Sequence, residues 1–300
     1  MRRRALIAML LSIPFGQSCA PIVAGAADSA APIAVGSQYA TSHVYVAPDD
    51  IDRFAASFVA TFGGRSTGTA VTTVTPTASL ANFRAIQTPV GNVSLFGYKT
   101  PVPYPFGAER TGYLVTDMDT AIRAARAAGA DVIVEPFSDP IGLDAIIQWP
   151  GGVDMQLYWH TRAPSSPPLQ RTPENRVYAS AGRVAAFVDG FVAFSHGAVV
   201  SDDPAAPGLE IGRPNGTYRR IRIESSFGNL NVAVTDGHLP YPYGREIMGY
   251  EVADIEATLA KARAAGVEVL VEPYRVADRE AAMVLFPGGH VAEIHALLRK

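Results

Sequence analysis

The chain has 300 residues, of which 48% are hydrophobic and 18% are charged. This length and composition suit a globular protein of two ordinary domains with sizeable cores. The formal net charge of −3 at pH 7 leaves no basic surface to recruit nucleic acid, so a nucleic-acid partner is excluded.

The first residues have the pattern of a segment that directs export. Arg2–Arg4 precede the apolar run Ala5–Phe15, and the small residues Ala24–Ala26 offer an A-x-A cleavage site. Residues 1–26 are therefore predicted to be a signal peptide, and the mature protein to be periplasmic or secreted. An uncleaved membrane anchor fits less well, because the apolar run is shorter than the roughly 20 residues of a spanning helix and contains Pro14.

Cleavage after Ala26 has two consequences for the mature chain. It removes Cys19, the only cysteine, so no disulfide and no thiolate chemistry remain. A lipoprotein acylated at Cys19 is a weaker alternative, because Gly16, three positions earlier, is not aliphatic. Cleavage also removes three of the 25 basic residues. The remaining 22 basic and 28 acidic residues give a net charge near −6, and no other segment is predicted to span a membrane.

The first predicted domain, residues 41–161, begins with a strand at His43–Ala47. A helix follows, with Asp50 placed as its cap and apolar residues recurring every three or four positions. A second strand at Arg110–Val115 leads to another helix, capped by Asp117. The remaining strands are predicted at residues 132–134, 145–149 and 153–158.

The second half of the chain repeats the first. Shifting the sequence by 137 positions aligns Pro103–Gly107 with Pro240–Gly244, and the register then holds without a gap as far as the two Pro-Gly-Gly turns. A period this long indicates whole domains and not a solenoid repeat. The second domain is assigned to residues 176–300. Linkers are assigned to residues 27–40 and to the Pro/Ser-rich residues 162–175.

Each copy predicts an α+β domain made of two βαβββ modules. The second module of the first copy, Gly112–Leu157, contains the segments Gly-Tyr-Leu-Val-Thr-Asp-Met-Asp, Ala-Arg-Ala-Ala-Gly, Val-Glu-Pro and Trp-Pro-Gly-Gly. These segments, their second-copy partners and the opening strand at Ser42 resemble the vicinal-oxygen-chelate superfamily of glyoxalases, bleomycin-resistance proteins and dioxygenases. The resemblance implies two tandem domains, each curling a mixed sheet into a cup with an open metal site inside.

The resemblance also implies four metal-ligand positions in each cup, one on each of four strands. Carried over to this chain, they are His43, Ser94, Arg110 and Gln156 in the first copy, and Arg176, Asn231, Ile247 and Glu293 in the second. Neither set is complete, because arginine cannot bind a metal and isoleucine has no donor atom. His43 and Glu293 are the candidate metal ligands that remain, so a divalent metal stays a candidate cofactor.

Other polar residues of the cups are candidates for ligand binding or catalysis. Glu293 and His295 share one face of a strand and are the candidate acid and base. Strand alternation and the resemblance together suggest six ligand-binding side chains: Tyr45, Arg110 and Gln156 in the first cup, and Arg176, Tyr178 and Asn231 in the second. A hydrogen-bonded or solvated structural role competes with each assignment. Because the two linings differ, one preferred ligand site is expected instead of two equal ones.

Two functions remain open. The first is a glyoxalase- or dioxygenase-like enzyme that acts on a small oxygenated organic molecule with an atypical metal-ligand set. The second is a non-catalytic small-molecule-binding protein of the bleomycin-resistance type. No glycine-rich phosphate loop, nucleophile elbow or His-Glu-x-x-His segment points to another class. The sequence leaves open the ligand, the oligomeric state and whether both cups work.

Overall fold

The computed structural model describes residues 32–298. The predicted signal peptide lies outside these residues, as does the start of the N-terminal linker. The chain from Ile33 onwards belongs to the fold, because Ile33 and Ala34 are buried and Ala34 pairs with Val115. Within the described part of the chain, no helix is both long enough and apolar enough to cross a membrane.

The first domain is a nine-stranded mixed sheet with two helices. Its elements are β1 (Thr41–Val46), α1 (Ile51–Phe62), β2 (Arg65–Ser66), β3 (Ala70–Thr72), β4 (Ala81–Thr88), β5 (Gly91–Tyr98), β6 (Arg110–Leu114), α2 (Met118–Ala127), β7 (Asp131–Ser138), β8 (Gly142–Trp149) and β9 (Val153–His160). The strand order is β2-β4-β5-β1-β6-β9-β8-β7, with β3 also paired to β4. At the centre, β1 runs antiparallel to β6 and therefore joins the two modules.

The second domain is an eight-stranded sheet with the same order of elements. They are β10 (Glu174–Ala179), α3 (Val184–Ser195), β11 (Ala198–Pro207), β12 (Thr217–Ser225), β13 (Gly228–Val234), β14 (Ile247–Glu251), α4 (Ile255–Ala264), β15 (Glu268–Val276), β16 (Arg279–Leu285) and β17 (Val291–Leu297). The strand β10 begins at Glu174, which pairs with both Asn229 and Gly249.

The register confirms the predicted α+β fold of paired βαβββ modules. His43 lies opposite Ser94 on one side and Arg110 on the other. The same relation holds in the second copy, where Arg176 lies opposite Asn231 and Ile247. Since directly paired residues point to the same face of a sheet, the positions carried over from the family do converge in each cup.

The helix caps follow the sequence in one module and depart from it in another. The Asp117 carboxylate accepts a hydrogen bond from the Thr120 backbone N–H at 2.8 Å, as a capping residue should. The cap predicted at Asp50 is wrong. A short 3-10 turn at Pro48–Asp50 already gives Asp50 a helical backbone, and its carboxylate turns instead to Arg53 at 2.6 Å.

The two largest hydrophobic cores are each shared between the domains. One core joins α2 and strands β6, β8 and β9 of the first domain to α3 and strands β10, β12 and β13 of the second. The other joins α1, β1 and β5 to α4, β14, β16 and β17. Tyr113 and Tyr250, which lie on β6 and β14, are each buried in one of these cores. The helices therefore pack between the sheets and leave the opposite, concave faces to form the cups.

Candidate functional site

The cup of the first domain holds a cavity of about 290 Å³. Its wall is largely apolar and includes Val74, Phe83, Ile86, Val93, Phe96 and Ile141. Its floor is polar and includes His43, Asn92, Ser94, Asp144, Gln156 and Tyr158. Pro164 and Ser166, from the segment between the domains, close part of the mouth. This is the composition of a small-molecule site, since an apolar enclosure surrounds a few buried polar groups.

His43 lies in the floor as a neutral imidazole. Burial holds its pKa well below the usual range, and the nearby Arg110 guanidinium lowers it further. The ring stacks on Phe96, with ring centroids 5.7 Å apart. Gly112 makes room for it, because a Cβ there would lie 2.3 Å from the His43 Cε1. The His43 Nδ1 is a buried polar atom on the Gly112 side of the ring, and the Thr41 backbone beside the ring partly offsets the fall in the His43 pKa.

Arg110 lies behind Gln156 and holds it in place. Its Nε and Nη2 donate to Gln156 Oε1 at 3.2 and 2.7 Å, and its Nη1 donates to the Ala108 carbonyl at 3.1 Å. The guanidinium also lies 5.7 Å from the Tyr45 ring centre and 5.2 Å from that of Phe106. The sequence placed Arg110 and Tyr45 in contact with ligand. Neither of them lines the cavity, whereas Gln156 does. Arg110 lies behind Gln156, and Tyr45 packs against Arg110 and Phe96.

Asp144 is an ionisable group of the floor that the sequence reasoning missed. Burial raises its pKa to about 7, and the neighbouring Asp139 charge raises it as well, so a large share of Asp144 is protonated at neutral pH. A signal was present: Asp144 is a single carboxylate in the apolar strand β8 and has the same parity as Ile146, which pairs with Gln156. The predicted strand began at Ala145, one residue too late to include it.

The floor of the second cup is occupied by its own charged side chains. Glu293, equivalent to Gln156, is ion-paired with Arg176, and its Oε1 lies 3.5 Å from Arg279. Burial alone would raise the Glu293 pKa, but Arg176, with help from His295 and Arg279, holds it well below the usual range. Arg279 also forms a two-pronged ion pair with Glu174 at 2.8 and 3.3 Å.

Three substitutions between equivalent positions explain the difference between the cups. Where the first cup has Thr41, Ala85 and Gly142, the second has Glu174, Arg222 and Arg279. Each change places a long charged side chain where the first cup has a small one. A polar cavity of about 220 Å³ remains at the mouth of the second cup, lined by these three residues together with the ion-paired Asp278.

The other residues predicted for the second cup belong to or adjoin this network. The Asn231 amide donates to Glu174 at 3.1 Å. His295 Nδ1 lies 3.0 Å from Glu293 Oε1, so the predicted acid–base pair does come together. Tyr178 is half-buried near Arg176, and burial raises its pKa. Because Glu293 already has cationic partners, it has no open side from which to serve a substrate.

Neither donor set fits a divalent metal. In the first cup Arg110 fills one ligand position with a fixed cation and occupies the Gln156 oxygen that a metal would need. In the second, Arg176 occupies the Glu293 carboxylate in the same way. Among residues 32–298, no group of three or more His, Cys, Asp or Glu side chains is placed to hold a metal ion. His43 and Glu293 also lie in different cups and cannot bind one metal together.

Comparison with solved structures shows the fold. A triple mutant of 4-hydroxymandelate synthase from Streptomyces coelicolor matches with a TM-score of 0.59 and 13% identity, over 88% of this chain and 94% of that one. A homoprotocatechuate 2,3-dioxygenase mutant from Brevibacterium fuscum matches with a TM-score of 0.55 and 14% identity, over 89% and 73% of the two chains. The Mn(II)-bound glyoxalase from Novosphingobium aromaticivorans gives a TM-score of 0.52 at 14% identity, over 89% and 83%.

The chain has the vicinal-oxygen-chelate fold, in its tandem two-domain form. No protein-family model and no curated protein matches its sequence. With identities this low, the likeness concerns the fold alone, and the chemistry has to be argued from the cups of this chain.

Proposed function

We propose that the protein binds a small organic molecule in its first cup without a metal ion. The observation that carries the proposal is the contrast between the cups, which share one frame. The first keeps a largely apolar cavity of about 290 Å³ with the neutral His43 at its floor, whereas buried ion pairs occupy the floor of the second and leave a polar cavity of about 220 Å³ at its mouth. Two outer grooves of about 400 and 430 Å³ are larger, but no buried ionisable side chain lines them.

The test is a screen of neutral organic fragments by ligand-observed NMR on the wild-type protein and on Ala85→Phe. Ala85 lines the cavity and pairs with Ser94, which lies opposite His43, so a phenyl group there fills the cup. We expect Ala85→Phe to weaken binding of the wild-type hits by about tenfold or more. The new phenyl group would take the place of the fragment, which would lose apolar contacts with the cup worth several kcal/mol.

Val71→Phe is the matched control, since Val71 is 56% exposed on the short edge strand β3. It should leave the fragment affinities unchanged. The hits should also persist after the protein is dialysed against a chelator. Fragments that bind Ala85→Phe as well as the wild type, or that are lost with the metal, would contradict the proposal.

A second candidate function is metal-free proton transfer. Two groups that line one cavity have their pKa values moved in opposite directions: that of His43 is lowered and that of Asp144 is raised to about 7. Such a pair suits a base and an acid. His43 would take a proton from a carbon next to a carbonyl, and Asp144 would give its proton to the carbonyl oxygen, which yields an enol.

Acetophenone in heavy water is a probe for this reaction, because enol formation replaces its methyl protons with deuterium. If the second function holds, the protein should speed this exchange, and His43→Gln should slow it by about 10²-fold or more while still binding the ketone. Exchange no faster than in buffer would leave binding as the only function.

We also propose that the mature protein is exported. The basic and apolar residues before Ala27 support this, and cleavage there would leave every described residue in place, because these begin at Pro32. Mass spectrometry of the protein purified from its native host should find a chain that begins near Ala27. An intact chain from Met1 in the cytoplasmic fraction would argue against export.

A further inference from the structure

Arg110 is a buried cation without a counter-ion. Four arginines of the described chain are buried, and three of them, Arg176, Arg220 and Arg279, are ion-paired with carboxylates. Arg110 donates to the Gln156 and Ala108 oxygens and lies over the Tyr45 and Phe106 rings. No carboxylate of residues 32–298 lies within 4.0 Å of its guanidinium nitrogens. A buried charge without a partner is costly, so it is kept where something else compensates it.

The positive potential of Arg110 extends into the first cup. It lowers the pKa of His43, and it opposes the rise that burial causes in the pKa of Tyr45, Tyr98 and Asp144. These four groups belong to β1, β5 and β8, so the field reaches several sides of the cup. An anion inside the cup would therefore be attracted by Arg110. The attraction would be strong, because the buried surroundings have a low dielectric constant.

Gln156 supplies hydrogen-bond donors at the point where this potential meets the cavity. Its Oε1 accepts both bonds from Arg110, so its Nε2 carries two N–H groups. One of them is directed at the Asp144 carboxyl and lowers its pKa, which leaves the other for a ligand. Ser94 and His43 line the same floor. A ligand oxygen at this place could accept hydrogen bonds from Gln156 and Ser94, with the fixed positive charge of Arg110 behind Gln156.

We propose that the first cup binds a small, largely apolar molecule through one anionic oxygen group, such as a carboxylate, held by the Gln156 amide in the field of Arg110. This rests on the proposed function and adds the chemical class of the ligand. The anion would be the counter-ion that Arg110 lacks within the described chain. The apolar wall, with Phe83 and Phe96, would enclose the rest of the molecule.

Asp144 adds a pH dependence to this recognition. It faces Gln156 and Tyr158 on β9, Arg110 on β6 and Asp139 on the turn before β8, and Tyr45 on β1 also feels its charge. When Asp144 is protonated, the cup is free for an anion. When it is ionised, its own charge repels one, so the affinity for an anion should fall as pH rises through about 7.

The experiment compares benzoate with benzamide, which has nearly the same shape but no charge. Both are titrated by NMR chemical-shift changes into the wild-type protein, Arg110→Met and Asp144→Asn, at pH 6 and pH 8. We expect the wild type to bind benzoate at least tenfold more tightly than benzamide at pH 6, and several-fold less tightly at pH 8 than at pH 6. Arg110→Met should remove the preference for benzoate. Asp144→Asn should bind benzoate equally at both pH values.

Asp278→Asn is the matched control, because Asp278 lies at the mouth of the second cup, and it should behave as the wild type. Equal affinities for benzoate and benzamide in the wild type would overturn the inference, as would a preference for benzoate that survives Arg110→Met. If Arg110→Met does not fold, the wild-type ratio alone decides. If neutral fragments bind and respond to Ala85→Phe but benzoate is not preferred, this inference fails while the proposed function stands.

Discussion

Replacing Arg176 with methionine should lower the free energy of unfolding by about 3–5 kcal/mol, because it leaves a buried carboxylate without its main partner. Arg176 and Glu293 are both almost fully buried, with side chains 3% and 2% exposed. Arg279 is 3.5 Å from Glu293 and is already bound to Glu174, so it cannot fully replace Arg176. Urea unfolding followed by circular dichroism measures the loss.

A double variant separates the ion pair from the packing around it. Arg176→Met with Glu293→Leu should recover much of the loss, because removing both charges also removes the cost of burying one of them alone. The exposed Arg263–Glu272 pair is the control: its Arg263 side chain is 49% exposed, and Arg263→Met should change the free energy of unfolding by less than about 1 kcal/mol. A double variant no more stable than Arg176→Met would show that packing, and not charge, is at stake.

Replacing Phe58 with alanine should cost about 3–5 kcal/mol and should weaken both domains together. Phe58 is fully buried on α1 of the first domain, where its ring contacts Tyr250 and Phe286 of the second. The cavity left behind would open in a core to which both domains contribute. Neither domain can therefore keep its own stability when this contact is lost.

The two tryptophans make the coupling measurable. Trp149 is buried in the other core, and Trp159 packs against the same core, so their fluorescence reports on a region that does not contain Phe58. In Phe58→Ala, the fluorescence transition should move to lower urea by the same amount as the circular dichroism transition. Val71→Ala on the exposed edge should leave both in place, to within about 0.5 kcal/mol. A fluorescence transition that stays at the wild-type midpoint would mean that the cores unfold separately.

Much of the frame was predictable because it rests on local periodicity and on the repeat. The repeat of 137 positions placed Gln156 and Glu293 at equivalent points of the two cups, where they pair with Gly112 and Gly249. On β6, Tyr113 has the opposite parity to Arg110 and packs on the helix-bearing face. These positions follow from the alternation of a strand, and the partner residues need not be known.

The contents of the cups were less predictable because they depend on contacts between distant residues. Arg279 forms an ion pair with Glu174, which lies 105 positions earlier, and the local sequence around either residue does not predict the pair. The exchange of Gly142 for Arg279 is visible once the two copies are aligned, but its effect depends on which way the side chain turns. The raised pKa of Asp144 likewise comes from burial, which the local sequence pattern does not predict.

The sharing of both cores between the copies has a consequence for how the two cups could diverge. A single copy of this domain would leave its helix-bearing face uncovered, so it would need a second identical chain to bury it. In such a homodimer every substitution appears twice, and an arginine that closes one cup closes the other. When the two copies are joined in one chain, each still buries the helix-bearing face of the other. Each copy has its own codons, so a substitution in one leaves the other unchanged. Arg279 could therefore close one cup while Gly142 kept the other open.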